Sequence, residues 1–121
     1  MTPETMRIHK LLNDIHASAK KIHDRIQGET EESFTSEAST DLQDIVARRL
    51  TIIGEASAAL LKKHPQFCEE HPEIPLRQAR GMRNTIVHDY DGILWNLVWM
   101  VATRDIPQLI ETIEDYLKSQ S

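Results

Sequence analysis

The sequence predicts an all-α fold, an up-and-down bundle of four to five helices. Three observations predict it. Apolar residues recur at three- and four-residue steps through most of the chain. Glycine and proline supply only 4 and 5 of its 121 residues, too few for a chain of many tight turns. No segment alternates apolar and polar residues as a half-buried strand does. A chain of this length is expected to form one domain over 1–121, burying roughly two-thirds of its unfolded surface.

The first helix is expected over Thr5–Gln27, where Ile8, Leu11, Leu12, Ile15, Ala19, Ile22 and Ile26 form the stripe. Thr2 or Thr5 can cap its start, and Gly28 follows it as a C-terminal cap does. Glu29 to Thr40, acidic and rich in Ser and Thr, reads as a loop. Ser39, Thr40 or Asp41 then caps a second helix through Leu42, Ile45, Val46, Leu50, Ile53, Ala56, Leu60 and Leu61. Gly54 within it costs up to ~1 kcal/mol against alanine, which a close helix crossing would explain. Pro65, Pro72 and Pro75 make His64 to Pro75 a connector with at most one helical turn. A third helix runs from Pro75 or Leu76 toward His88, and Asp91-Gly92 marks a turn. Ile93 to Thr103 forms a fourth helix. Asp105 caps a fifth, with Pro107 in its first turn and Leu109, Ile110, Ile113 and Leu117 as its stripe.

The fourth helix is apolar nearly all round. Leu94, Leu97, Val98 and Val101 cover one side; Trp95, Trp99 and Ala102 extend to another. A small bundle buries one side of a helix in its own core. The rest calls for a partner subunit, most simply a two-fold homodimer, or for a neighbouring helix over the second face.

Charge and cysteine content exclude several classes. The net charge of −5 argues against a protein that coats nucleic acid by bulk charge. The distribution is uneven, however. Gly28 to Asp44 holds Glu29, Glu31, Glu32, Glu37, Asp41 and Asp44 and no base, whereas Ile74 to His88 holds Arg77, Arg80 and Arg83 and no acid. An acidic chain with one basic patch suits a specific phosphate-handling site. Cys68 is the sole cysteine, so no internal disulfide or Cys-x-x-Cys zinc site can form, and a cytoplasmic setting is expected. The first residues show no apolar signal core behind a basic flank. The longest uncharged stretch, Gly92 to Thr103, has twelve residues, against roughly 20 for a membrane span, so no membrane partner is expected.

The densest chemistry lies in Arg80-Gly81-Met82-Arg83-Asn84-Thr85-Ile86-Val87-His88-Asp89-Tyr90. At about 100° per residue, Arg83 and His88 stand about 140° apart on a continuous helix. They cooperate only if a helix end intervenes or if they meet across a dimer interface. Asn84 shares a face with His88, and Arg80 with Asn84. The set suits cleavage of RNA. A histidine can take the proton of a ribose 2′-hydroxyl or give one to the leaving 5′-oxygen. An arginine fork binds two phosphate oxygens and stabilises charge in the transition state. Asn84 can orient either group. Two copies across a two-fold axis supply both an acid and a base. The plainer alternative is a histidine and an arginine at a helix end, satisfied by backbone carbonyls.

Three stretches together resemble the HepT-like branch of the HEPN superfamily. They are Val46-Ala47-Arg48-Arg49-Leu50-Thr51-Ile52-Ile53-Gly54-Glu55-Ala56, Pro72-Glu73-Ile74-Pro75-Leu76-Arg77, and Gly81-Met82-Arg83-Asn84-Thr85-Ile86-Val87-His88-Asp89-Tyr90. The tail Asp105-Ile106-Pro107-Gln108-Leu109 also fits, so the likeness covers essentially Arg7 to Leu117. The hallmark is Arg, four residues, His, one residue, Tyr. Leu76 departs from the pattern, since an aromatic residue usually follows the Ile-Pro pair; that position reads as packing. The resemblance implies an all-α dimer acting as a metal-independent endoribonuclease, the toxin of a type VII toxin–antitoxin pair. It implies that Arg83 and His88 are catalytic, that Asn84 supports them, and that Tyr90 accepts AMP from an MntA-like nucleotidyltransferase antitoxin. AMP on Tyr90 would place bulk and negative charge beside the site and repel an RNA backbone. No cofactor is implied beyond AMP attached to Tyr90. A non-catalytic helical dimer, partner or substrate of a nucleotidyltransferase, is the alternative.

Other residues carry weaker expectations. Arg77 and Arg80 are candidate RNA-backbone contacts: on a continuous helix Arg77 aligns with His88 and Arg80 stands about 80° from it on the same side; a solvated face or pairing with Glu29–Asp44 is the alternative. Arg48 and Arg49, with Glu55 seven and six residues on, are expected to form an ion pair within the bundle, with RNA contact as the alternative. His9, His16 and His23 repeat every seven residues along one edge, about 10 Å apart at ~1.5 Å rise, too far to share a metal. His64, Cys68 and His71 lack a fourth ligand nearby, so no metal is expected there.

Overall fold

A computed structural model describes residues 1–87 and 92–121. All the described regular structure is helical. The elements are α1 (Pro3–Arg25), α2 (Glu31–Thr35), α3 (Thr40–Lys63), α4 (Pro65–Glu70), α5 (Leu76–Gly81), α6 (Asn84–Val87), α7 (Trp95–Met100) and α8 (Ile106–Ser119). None of the described helices is long and apolar enough to cross a membrane.

The long elements form where the stripes foretell them. Thr2 caps α1 by accepting the Thr5 amide at 3.1 Å, with Pro3 in the first turn where its missing N–H costs nothing. Gly28 takes φ +83° just past the helix, a conformation open to glycine. Leu12, Ile15, Ala19 and Ile22 of α1 are fully buried against Val46, Leu50, Ile53 and Leu60 of α3. Glu4 near the start of α1 meets His64 at the end of α3, so the two run antiparallel. On another side α1 packs on α8, where Leu109 and Ile113 complete the core. His9 lies beside Tyr116 and His16 beside Glu114, so α8 is antiparallel to α1 as well. With α5 returning along α3, the four long runs alternate in direction, as the stripes and short connections require.

Four expectations give way. First, Glu29–Thr40 is not a plain loop. It holds α2, closed by a reciprocal bond pair between Thr30 and Ser33, and a 3₁₀ turn over Glu37–Ser39. One apolar residue explains this. Phe34 is fully buried and stacks against Trp95 at 6.1 Å and Trp99 at 5.4 Å, while Gln43 clamps the Phe34 carbonyl at 2.8 Å. This short helix covers the second face of α7. Second, the connector after α3 carries α4, six residues long, between His64 and His71 at its two ends. Pro65 starts it rather than breaking it, since proline fits a first helical turn.

Third, the helix from Leu76 does not run on to His88. It ends at Gly81, and Met82-Arg83 form a turn before α6. Thr85 donates both its amide and its hydroxyl to the Met82 carbonyl, at 3.2 and 2.7 Å, which tightens the chain there. The β-branched run Thr85-Ile86-Val87 adds little helical preference of its own. Fourth, the helix expected over Ile93–Thr103 starts at Trp95 and does not stop at Thr103 before a separately capped fifth. Asp105 makes no side-chain cap. The chain passes from α7 through a wide π-type turn over Val101–Asp105 into α8, with the Ile106 amide bonded to the Val101 carbonyl. Pro107 has no N–H to offer the Thr103 carbonyl, and the Thr103 hydroxyl takes the Trp99 carbonyl at 2.8 Å.

Phe34→Ala should therefore cost about 3–5 kcal/mol in denaturant unfolding and shift the emission of Trp95 and Trp99. A second expectation concerns acid. A hydrogen bond from His16 holds the Glu114 carboxyl below its ordinary value of 4.5. A lowered folded-state value stabilises the fold above pH 4.5 and loses that effect as pH falls through it. Wild type should thus exceed Glu114→Gln in melting temperature above pH 4.5, and the gap should close toward pH 3.

Candidate nucleic-acid site

The basic run of the sequence lies along the α5–α6 segment. Arg77 and Arg80 project from α5 and are exposed. Successive arginines lie three residues apart, a rise of about 4.5 Å within the helix. Arg83 follows in the turn after α5 and is half-buried, and Asn84 opens α6 exposed to solvent. Because the helix breaks at Met82, the reckoning that aligned Arg77 and Arg80 with His88 on a continuous helix does not hold. His88, Tyr90 and the turn residue Asp91 lie outside the described residues.

Among the described residues none of Arg77, Arg80 and Arg83 makes an ion pair. The pairing with Glu29–Asp44 is therefore not formed. That acidic stretch folds over α7 instead. These arginines are open to an anion, a property shared with other cations, since only Lys10, Lys20 and Arg104 among the lysines and arginines form an ion pair among the described residues. The Arg77 charge acts on Cys68. Burial pushes that thiol up, and the Arg77 charge draws it down by less.

The root of Arg83 is held from beneath. α3 passes directly under it at Gly54, which is buried. A Cβ placed on Gly54 would lie 2.6 Å from the Arg83 Cβ and 3.1 Å from its amide nitrogen. The close crossing expected at this glycine is therefore present, and its partner is Arg83. One turn further along α3, Ser57 is fully buried, and its hydroxyl has no hydrogen-bond partner among the described residues.

The remaining candidates have local partners or none. Neither Arg48 nor Arg49 forms an ion pair with Glu55 among the described residues, contrary to expectation. Seven residues of helix separate Arg48 from Glu55 by about 10 Å, beyond contact distance. The histidine edge of α1 faces α8. His9 shares a 3.0 Å hydrogen bond with the Tyr116 hydroxyl, and His16 Nε2–H donates to Glu114 at 2.7 Å. His64 and His71 turn to Glu4 and Glu73, at 3.4 and 3.2 Å. A cavity of about 410 Å³ adjoins them, ten residues or about 15 Å along α3 from Gly54. Among the described residues no group of three or more His, Cys, Asp or Glu side chains is placed to hold a metal ion.

Besides Met1 and Met6 near the start of the chain, the exposed large apolar residues lie at the start of α7 and along it. Leu94, Leu97 and Met100 are 56%, 37% and 42% exposed, three residues apart along one stripe. Phe34 covers the tryptophan face, so this stripe is what remains of the all-round apolar helix.

Comparison with known proteins gives the family. A family model for ribonuclease HepT-like proteins matches residues 15–116. The chain belongs to the HepT-like ribonuclease family. A protein of Thermococcus cleftensis named "Probable ribonuclease HepT" is 37% identical over 105 residues, covering 85% of this chain and 90% of its own. Proteins of Caldanaerobacter subterraneus subsp. tengcongensis and Methanocaldococcus jannaschii, both with "putative RNase" in their names, are 30% and 38% identical over 97 and 103 residues. These matches cover 80% and 84% of this chain. The chain spans 82% of the former but only 44% of the latter, whose name adds gamma-glutamylcyclotransferase. No solved structure matches the chain.

Proposed function

We propose that this chain is the toxin of a toxin–antitoxin pair, an endoribonuclease that cuts RNA without a metal ion. The observation that carries the reading is the edge Arg77, Arg80 and Arg83, free of carboxylate partners among the described residues and leading to the motif. Family membership supplies the reaction class.

In the proposed reaction Arg77 and Arg80 bind the RNA backbone. Arg83 engages the scissile phosphate, with Asn84 supporting it. His88 of one protomer takes the 2′-hydroxyl proton as the 2′-oxygen attacks phosphorus. The P–O5′ bond breaks, and the second copy's histidine gives a proton to the leaving oxygen. The products are a 2′,3′-cyclic phosphate and a 5′-hydroxyl, in balance with the substrate. One motif histidine per chain is too few for both transfers, so the reaction calls for a homodimer. The stripe Leu94, Leu97 and Met100 is the surface proposed to pair across the two-fold axis.

Control falls to Tyr90 in this reading. An MntA-like nucleotidyltransferase antitoxin transfers AMP to its hydroxyl. The added phosphate then opposes the RNA beside the same arginines.

Purified protein free of AMP by intact mass should cleave RNA in EDTA and leave cyclic-phosphate ends. Arg83→Ala and His88→Ala should each abolish this while remaining folded. Failure of the folded, unmodified dimer to cut any cellular RNA would favour the non-catalytic helical module. Leu97→Asp should separate the protomers in sedimentation and remove cleavage with them; an active monomer would contradict the shared site.

A further inference from the structure

Gly54 sits in the interior of a 24-residue helix. Glycine weakens a helix there, and alanine would hold it better. Backbone freedom does not explain its presence, since the positive-φ residues are Gly28 and Gly92. Space does. A Cβ on residue 54 would stand 2.6 Å from Arg83 Cβ, 3.0 Å from its Cγ and 3.1 Å from its amide nitrogen. These atoms are the root of the side chain and its backbone, not a flexible tip that can swing away. Arg83 would have to move by about 0.8 Å to reach ordinary contact. Gly81, two residues before Arg83, has nothing within 4 Å of such a Cβ. The steric demand therefore falls on one of the two glycines only.

We propose that Gly54 is a positioning residue for Arg83: the bare backbone of α3 is the seat that sets where the guanidinium points. This rests on the reading of Arg83 as the group that stabilises charge at the scissile phosphate. A shift at Cβ and Cγ is carried out along the side chain to its head. Thr85, bonded to the Met82 carbonyl, fixes the turn from above while Gly54 admits it from below. The segment is then held between two constraints at the root of the arginine.

The test compares Gly54→Ala with wild type, Arg83→Ala and Gly81→Ala on a fluorescent single-stranded RNA. Gly54→Ala should lower kcat on the order of 10²-fold, the loss typical of a misplaced group of this size, with KM unchanged. Gly81→Ala should cleave as wild type does. Wild-type kcat in folded Gly54→Ala, or a loss carried by KM alone, would overturn the proposal while Arg83→Ala stays inactive. Full activity in Arg83→Ala would instead sink the ribonuclease reading of that residue. Should Gly54→Ala fold too weakly for kinetics, its effect on stability is measured again in an Arg83→Gly background, which lacks the opposing Cβ. A smaller destabilisation there, where only the 3.1 Å approach to the amide nitrogen remains, supports the contact; an equal destabilisation in both backgrounds refutes it.

Discussion

The arrangement depends on α3 being packed on more than one side. Val46, Leu50, Ile53 and Leu60 bind it to α1, and the face through Gly54 and Ser57 is buried as well. A helix covered this way has no freedom to rotate, because any turn would bring its charged residues inward. α5 and the bend after it are thereby referred to a fixed rod. The cationic edge inherits its place from the core, although none of the exposed arginines contributes to that core.

Charge is divided accordingly. The acidic stretch packs over the tryptophans of α7 through Phe34, and the basic edge lies on the α5–α6 segment. Had the two met, each arginine would have found a carboxylate nearby, and an incoming phosphate would have had to displace it. Segregation costs the fold little, since exposed ion pairs contribute little stability. It leaves the arginines with unspent hydrogen-bonding capacity.

Much of this was legible in the sequence where a period governed it. The stripes of α1, α3 and α8 mark helices because apolar spacing and burial are the same fact seen twice. Gly54 announced a close approach, but not which residue approached, since that depends on a contact about thirty residues away. The stretch around Phe34 was illegible for the opposite reason. One buried aromatic ring among acids and hydroxyls has no period, and its helix exists because tryptophans elsewhere need covering. The break at Met82 was equally hidden, because it comes from a local competition of the Thr85 hydroxyl for a carbonyl. The basic patch was read correctly as a run, while its angular alignment failed with the continuity of the helix. The ion pair expected of Arg48 and Glu55 failed on distance, which the sequence already contained.

The wide turn at Val101–Asp105 has a consequence for how this helix can change. Eight residues separate Val98 from Ile106, and at 100° each the buried face would drift by about 80°. A turn with more residues per revolution takes back part of that drift, so both residues stay fully buried. The turn acts as a phase corrector between two rods made from one stretch of chain. The outward stripe of α7 and the inward seam of α8 consequently answer to different neighbours. Substitutions that retune one surface need no matching adjustment in the other, and the contact face can diverge while the interior stays as it is.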